Sequence, residues 1–309
     1  MSPALHLLAP DIFFIQRGWL NGNHLACAGL HPALVDTGYL CDLPRTLELL
    51  EQAGVRPAEV ELIVTTHIHC DHVGAHAFIH EQSGCAIALS AACRQAVDQS
   101  DGWASWWRYY GQAYRAFPTH RTLAEGDRLE LGGLTWRVIE TPGHAAGHLC
   151  LYAPDNGWLL SADAAWDGDF GVLTTRIEGW DAPLRLRVSL RRLAGLEVSL
   201  LLPGHGPPLQ DGRGAIARCL ERVEAFIAEP RRLAEDQVRK ILLYHLMMKG
   251  PLGMEELWAW ERSLPWLAET ARQHFGGHPR RVFDRYLAQL LERGLVVQSE
   301  GLLTSALPA

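Results

Sequence analysis

Short apolar runs separated by turn-forming residues dominate the first two thirds of the chain. Residues 12–16, 25–28 and 33–35 are each long enough for a strand but too short for a helix. We predict further strands at residues 61–66, 86–89, 128–131, 135–139, 149–152, 158–160 and 199–202.

Helical spacing interrupts these strands. Leu43, Leu47 and Leu50 share one face of a predicted helix over residues 43–53. A second helix is predicted to begin at Asp71, as its N-cap, and to run to about residue 82. Helices interspersed among strands favour a layered α/β fold.

Residues 98–118 differ in composition from the rest of the chain. Six of the aromatic residues there lie at spacings of mostly three or four, which predicts an aromatic stripe on a helix. They are Trp103, Trp106, Trp107, Tyr110, Tyr114 and Phe117. Such a stripe either packs against the body of the protein or caps a binding pocket.

The pattern changes again near residue 212. Helical periodicity continues to residue 250 and is broken at Glu229 and Pro230. A last helix is predicted over residues 279–293. The residues after it, at 295–298 and 302–304, are typical of a small hairpin.

The length of 309 residues fits one large and one smaller domain. We place the first at residues 1–211, with 98–118 as an insertion, and a mainly helical second domain at residues 212–309. The formal net charge of −7 excludes a general electrostatic attraction to nucleic acid or anionic membranes.

Cysteine usage and the absence of targeting features indicate a cytoplasmic protein. The 7 cysteines are scattered and contain no C-x-x-C pair, which favours a reducing compartment. The N-terminus lacks a basic start and a small-residue cleavage site, so we expect no signal peptide. No uncharged apolar run reaches the ~20 residues needed to span a bilayer.

Histidine is concentrated at a few places. A predicted strand ends directly before His67-Ile68-His69-Cys70-Asp71-His72. On extended chain, His67 and His69 point to the same side. Asp71 and His72 lie at the following turn, where they can face the same cavity.

Three later strands each end in a turn with one metal-competent residue, namely His144, Asp163 and His205. Ligands collect at the carboxyl ends of strands in open α/β sheets. Imidazole and carboxylate ligands suit zinc, and imidazole suits iron as well. The sequence therefore predicts a metal site built from all three segments and the histidine cluster.

The order of these motifs resembles the metallo-β-lactamase superfamily over roughly residues 10–210, with Asp36-Thr37-Gly38 as an additional shared motif. The resemblance implies a four-layer αββα sandwich with two divalent metal ions, most simply Zn²⁺ with Fe or Mn as alternatives, at one edge. It implies three sets of ligands: His67, His69 and His144 on the first metal; Asp71, His72 and His205 on the second; and Asp163 bridging them.

Other residues are expected beside the ligands. Asp36 is predicted to orient a ligand histidine. His148 is expected to support the ligands or to line the substrate pocket, together with Trp166 and, in the cap interpretation, the three tryptophans Trp103, Trp106 and Trp107.

Two metals of this kind would hold a bridging hydroxide that attacks a carbonyl carbon or a phosphorus. Asp71 is the candidate for orienting this nucleophile and accepting a proton. Diiron oxidases that resemble this family carry Glu where this chain has His69, which disfavours redox chemistry. Asp163 favours the glyoxalase II-like, lactonase-like and nuclease-like branches over the β-lactamases that lack the bridging Asp.

Within those branches we expect a small-molecule hydrolase acting on a thioester or ester of an apolar acyl group. The alternatives are a lactonase or other small-molecule hydrolase, a phosphodiesterase or ribonuclease, and a non-catalytic regulatory protein that keeps the metal site. Trp166 weakens the lactonase alternative, because related lactonases often carry Tyr at that position. A nuclease would need a basic groove leading to the metals.

The C-terminal region resembles the winged-helix-like domain appended to some proteins of this superfamily. Arg280, Arg281, Arg285 and Arg293 lie in or beside its last helix. Interrupting acidic residues favour a solvated helix face over a nucleic-acid surface. Formation of a homodimer and closure of the substrate pocket are alternative roles for this region.

Overall fold

Two β-sheets contain the strands of the first two thirds of the chain. The computed structural model describes residues 4–308. The first sheet has seven strands that neighbour one another in chain order: β1 (Leu5–Ala9), β2 (Ile12–Ile15), β3 (His24–Cys27), β4 (Ala33–Val35), β5 (Leu62–Val64), β6 (Ala86–Ser90) and β7 (Arg121–Leu123). The second has five: β8 (Arg128–Leu131), β9 (Leu134–Glu140), β10 (Leu149–Ala153), β11 (Trp158–Ala162) and β12 (Leu200–Pro203).

Alternating side chains bring the two sheets face to face. Leu149 and Leu151 of β10 enter the core between the sheets, whereas Cys150 and Tyr152 face the helices outside. Successive side chains of a strand point to opposite faces, so a strand that is apolar throughout is buried on both sides. This explains why the strands of this half are short continuous apolar runs.

Helices cover the outer face of each sheet. The first sheet packs against α1 (Leu43–Gln52), α2 (His76–Ser83) and α3 (Ala91–Asp98). After the short α4 (Thr175–Glu178), the second sheet packs against α5 (Ala182–Ala194) and α6 (Gly212–Ala228). The result is the four-layer αββα arrangement that the resemblance implies.

The C-terminal region consists of helices and a small sheet. Pro230 ends α6 and begins the next helix at the predicted break. The elements are α7 (Pro230–Lys249), β13 (Leu252–Gly253), α8 (Met254–Glu261), α9 (Pro265–His274), α10 (Pro279–Glu292), β14 (Val296–Ser299) and β15 (Leu302–Ser305). The last two strands form the predicted hairpin, and β13 pairs with β15. Within residues 4–308, every helix is too short or too polar to cross a membrane.

The C-terminal helices share a hydrophobic core with the sandwich. Ile241 and Leu242 of α7 belong to the same buried cluster as Trp106, Tyr110 and Val172. This cluster places α7 beside the loops at one edge of the sheets. The predicted boundary at residue 211 stays a prediction.

The helix predicted over residues 98–118 is wrong. After α3 ends at Asp98, the chain makes successive turns to about residue 110 and then runs without regular structure. Trp106 has a φ of 74° and Gly111 a φ of 66°, values of the left-handed region that interrupt a right-handed helix. The spacing of three or four between aromatic residues arises here from successive turns rather than from a helix.

The predicted start of the second helix is also wrong. Its N-cap is Ala75 rather than Asp71, and α2 begins at His76. Residues 71–75 form turns instead, because the amides of Gly74 and Ala75 are bonded to Gly38 and Thr37 of the preceding loop. These turns free Asp71 and His72 to face the edge of the sheets.

Candidate metal centre

The carboxyl ends of several strands meet at one edge of the sandwich. In the first sheet, β4 and β5 run parallel and end before Asp36 and His67. In the second sheet, β11 and β12 run parallel and end before Asp163 and His205. Because β9 and β11 both pair antiparallel with β10, the turn that carries His144 lies at this same edge.

Three imidazoles form the first cluster. His144 Nε2 lies 2.8 Å from His69 Nδ1 and 3.3 Å from His67 Nε2. All three side chains are buried, and their nitrogens are close enough to bind one ion together. The structure thus brings together the residues that the resemblance assigns to the first metal.

A second cluster adjoins the first. Asp71 Oδ2 lies 3.2 Å from His205 Nε2 and 3.7 Å from His72 Nε2. Asp163 lies between the clusters, with Oδ1 3.5 Å from His72 Nε2 and Oδ2 3.3 Å from His144 Nε2. All seven residues predicted as ligands therefore lie at one place.

Unsatisfied polar atoms show that these residues fit bound cations. Among residues 4–308, His72 Nε2, His205 Nε2 and Asp71 Oδ1 are buried without a hydrogen-bond partner. The carboxylates of Asp71 and Asp163 are buried, and in this described part of the chain neither is paired with Lys or Arg. Buried carboxylates and imidazole lone pairs require compensation, which divalent ions provide.

The backbone around the centre leaves no room for larger residues. A Cβ added to Gly204 would lie 2.0 Å from Asp163 Oδ1, and one added to Gly171 would lie 2.4 Å from His144 Nδ1. Both glycines thus permit the close approach of backbone to ligand side chains. In the sequence, Gly204 directly precedes the candidate ligand His205.

Burial and mutual repulsion keep the first cluster neutral. Burial, then the neighbouring His72, lowers the pKa of His67 well below its usual range. Burial lowers the pKa of His69 and His144 as well. Burial raises the pKa of Asp163, but His205 and His72 more than offset it and hold that pKa well below its usual range. Neutral imidazoles and an ionised carboxylate are the forms that bind metal ions.

Hydrogen bonds fix the orientation of the ligands. Asp36 Oδ2 accepts a hydrogen bond from His72 Nδ1 at 2.8 Å, and Asp36 Oδ1 accepts one from the backbone N–H of Thr66 at 2.8 Å. His144 Nδ1 donates to the carbonyl oxygen of Val172 at 2.9 Å. The bonds made by His72 Nδ1 and His144 Nδ1 leave the Nε2 atom of each ring facing the centre.

His148 and Trp166 both contact Asp163. The backbone N–H of Asp163 donates to His148 Nε2 at 3.2 Å, and the second nitrogen of His148 donates to Thr141 Oγ1 at 2.7 Å. Burial and the nearby His144 lower the pKa of His148 to about 3, which keeps this imidazole neutral. Trp166 Nε1 donates to Asp163 Oδ1 at 3.3 Å.

The three tryptophans of residues 98–118 differ in position. The Trp106 ring stacks on His69, with the two ring centroids 3.6 Å apart, and it is buried. Trp103 packs on Tyr109, and Trp107 stacks with Tyr114. Trp106 therefore covers the first cluster directly, whereas its two neighbours support the surrounding loop.

The sequence did not reveal two aromatic residues beside the second cluster. Tyr244 of α7 lies with its ring centroid 6.3 Å from that of His205. Trp19 stacks on the same imidazole at 6.2 Å. Burial and the charges of Asp71 and Asp163 raise the pKa of Tyr244 well above its usual range, so its hydroxyl keeps its proton.

Asn23 is a third residue that the sequence did not single out. Its Nδ2 donates to the carbonyl oxygens of Pro203 and Gly206 at 2.9 and 2.8 Å. These bonds hold the turn that carries His205 against the first sheet.

The model of the metallo-beta-lactamase superfamily matches residues 28–205. Hydroxyacylglutathione hydrolase of Rhizobium etli is 32% identical over 186 residues, covering 59% of this chain and 62% of the relative. The chain thus matches about three-fifths of that relative's length.

Solved structures with the same fold cover the chain more fully. The metallo-beta-lactamase family protein TTHA1429 from Thermus thermophilus superposes with a TM-score of 0.62 and 23% identity, covering 96% of this chain and 99% of that one. A di-iron-bound form of TTHA1623 gives a TM-score of 0.53 and 30% identity, covering 66% of this chain and 96% of that one.

Proposed function

The chain belongs to the metallo-beta-lactamase superfamily, and on that premise we propose that it is a metal-dependent hydrolase. Its substrate class is a thioester or ester of an apolar acyl group. The observation that carries the proposal is the convergence of seven buried side chains on two adjoining points, with ring nitrogens and a carboxylate oxygen left without partners. The name of the Rhizobium etli relative describes hydrolysis of a thioester, which supports the substrate class.

Two ions at these points, when bound, supply Lewis acidity that polarises a carbonyl and lowers the pKa of water. His67, His69 and His144 would hold the first ion, Asp71, His72 and His205 would hold the second, and Asp163, which lies between the clusters, would contribute to both. Zinc suits this nitrogen and oxygen donor set, and iron and manganese are the alternatives. The di-iron form of the TTHA1623 structure supports iron as an alternative.

Side chains of the protein activate the water and stabilise the substrate carbonyl oxygen. Asp71 Oδ1 orients the attacking water and accepts its proton, since this oxygen is buried and free of other hydrogen bonds among the described residues. The Tyr244 hydroxyl donates a hydrogen bond to the substrate carbonyl oxygen, where negative charge develops. Trp166 Nε1–H holds Asp163 in position.

A phosphodiester is the second candidate substrate. Arginine side chains line the cavity beside the second cluster, and phosphate oxygens would pair with them. Lactones are a third class, because a lactone presents the same carbonyl oxygen to Tyr244.

Turnover by metal-loaded protein on matched acyl thioesters, lactones and phosphodiesters tests the proposal. Asp163→Ala serves as the blank. We expect thioester hydrolysis that the substitution abolishes. Binding of two metals without hydrolysis of any class would contradict the proposal and favour a protein that works through a partner.

A further inference from the structure

His76 is a buried histidine at the start of α2 that the proposed reaction does not use. Its Nδ1 is hydrogen-bonded to Thr37 Oγ1 at 2.7 Å, and its Nε2 is hydrogen-bonded to Thr65 Oγ1 at 2.7 Å. Both threonines are buried as well. One imidazole thus connects hydroxyl groups of two separate loops.

The hydrogen-bonding capacity of the His76 ring is filled by the protein. Burial, then the nearby His72, lowers the pKa of His76 to about 3, so the ring is neutral at neutral pH. A neutral imidazole has one donor nitrogen and one acceptor nitrogen. One threonine hydroxyl therefore accepts from the ring and the other donates to it. His76 could bind a metal ion only by giving up one of these bonds, which excludes it as a further ligand in this arrangement.

The segments that His76 connects carry the metal ligands and their support. Thr37 directly follows Asp36, and Thr65 lies two residues before His67. His76 itself begins the helix after the histidine-rich ligand segment. The imidazole therefore sets the spacing between three parts of the chain that meet at the metal centre.

Asp36 orients one ligand of each cluster. Its Oδ2 accepts a hydrogen bond from His72 Nδ1 at 2.8 Å and another from the Thr66 hydroxyl at 2.6 Å. Because the hydroxyl hydrogen of Thr66 is used in that bond, its oxygen accepts from His67 Nδ1, which lies 3.0 Å away. The Nε2 atoms of His67 and His72 are thereby left for the two metals.

The backbone of Asp36 needs support to hold its carboxylate in this place. Its φ of 58° lies in the left-handed region, which residues other than glycine rarely adopt. The N–H of Asp36 donates to the carbonyl oxygen of Val64 at 2.9 Å, and the N–H of Thr37 donates to that of His72 at 2.7 Å. The bond to His76 fixes the side chain of Thr37. His76 therefore links this left-handed turn to the chain that follows β5.

We propose that His76 is a positioning residue for both metal ions. Its ring bridges two loops and holds the carboxylate of Asp36 beside His72 and Thr66, so that one histidine nitrogen is aimed at each cluster. The inference rests on the metal centre of the proposed function, but it does not depend on the substrate or on hydrolysis. It adds a residue outside the ligand set that determines metal affinity.

Metal affinity tests this proposal without any substrate. The Kd of each Zn²⁺ ion is measured by competition with a chelator of known affinity. His76→Phe keeps an aromatic ring beside Phe117 but loses both hydrogen bonds, and we expect it to weaken both Kd values about 10- to 100-fold. His76→Asn places an amide near the position of Nδ1, where it can keep the bond to Thr37. It should bind both ions more tightly than His76→Phe.

His80→Phe is the matched control. His80 lies one turn further along α2, and its Nδ1 is hydrogen-bonded to the carbonyl oxygen of Cys85 rather than to a loop of the metal centre. This variant should bind both ions as the parent protein does. Thr65→Val, which removes one of the two bonds at similar side-chain volume, gives the same test if His76→Phe does not fold; it should also weaken metal binding.

A spectroscopic measurement separates positioning from a purely structural role. Absorption bands of the Co²⁺-loaded protein report the geometry of the ligands, and we expect His76→Phe to change them and His80→Phe to leave them as in the parent. Lower stability of the folded variant with the parent's Kd values and cobalt spectrum would overturn the proposal, even if the parent hydrolyses thioesters. Metal binding that depends on His76 in a protein without hydrolytic activity would refute only the proposed reaction.

Discussion

The buried ring of Tyr244 lies beside His205, although it belongs to α7, a helix outside the sandwich. Because the pKa of its hydroxyl is raised by burial and by Asp71 and Asp163, the hydroxyl remains a donor at neutral pH. We expect Tyr244→Phe to lower kcat about 100- to 1,000-fold, since the substitution removes one donor to the developing oxyanion. Steady-state kinetics and metal content by mass spectrometry check this result. Metal content should not change.

Tyr286→Phe is the matched control for Tyr244. This α10 hydroxyl has no hydrogen-bond partner within residues 4–308, so its loss should leave turnover unchanged. If Tyr244→Phe keeps full turnover, the tyrosine only packs against His205.

Ligand residues could be predicted from the sequence, whereas their aromatic neighbours could not. His67, Asp163 and His205 each lie within three residues of the end of a strand, so local pattern and the shared edge of the sheets place them together. Tyr244 lies in the middle of α7, and only the packing of that helix against the sandwich brings it to His205. A tyrosine on a helix carries no local pattern that distinguishes this position from a core position.

Apolar runs predicted most strands, and proline chemistry predicted the break before Pro230, whereas β1, β7, α3 and α5 were not predicted. Between residues 98 and 118, spacing of three or four is compatible with a helix or with successive turns. The left-handed backbone of Trp106, whose ring stacks on His69, decides between them.

The short helix α4 carries a buried acid beside the His144 loop. Burial raises the pKa of Glu178 to about 7 from 4.5, although Arg185 and the Ala146 amide partly offset the shift. The folded protein therefore holds this proton more tightly than the unfolded chain. Stability from this group is present below pH 4.5 and is lost as the pH rises through 7.

Glu178→Gln removes this titration while keeping a similar shape. At pH 8 we expect the variant to be more stable than the parent by up to about 3 kcal/mol. Near pH 4.5 the difference should vanish. Denaturant unfolding of both metal-loaded proteins across this range measures it. A difference that does not depend on pH would show that Glu178 does not titrate in this way.

At the scale of the whole molecule, hydrogen bonds of the buried His245 and Glu261 tie the C-terminal helices to the sandwich. His245 Nδ1 is hydrogen-bonded to Glu261 Oε1 at 2.7 Å, and His245 Nε2 is hydrogen-bonded to the carbonyl oxygen of Tyr110 at 2.8 Å. Glu261 Oε2 also accepts from Trp266 Nε1 at 3.0 Å. All these groups are buried in the core that includes Trp106.

Removing this tether should affect the whole chain. We expect Glu261→Ala to cost about 3–5 kcal/mol of unfolding free energy, because two buried donors lose their acceptor. Unfolding should remain a single transition, since the C-terminal helices and the sandwich share one core. Glu256→Ala, an exposed acid of the same helix, is the control. Two separate transitions in the parent protein would contradict this account of a shared core.

The central claim is that the protein is a metal-dependent hydrolase. It is tested most directly by the metal dependence of hydrolysis. Chelator-treated protein is titrated with Zn²⁺ while bound metal and hydrolysis of the octanoyl thioester of 3-mercaptopropionate are measured together. Because the donor atoms form two adjoining clusters, we expect binding to saturate at two ions per chain and activity to rise in parallel from a negligible start. Full hydrolysis by the metal-free protein would contradict the claim.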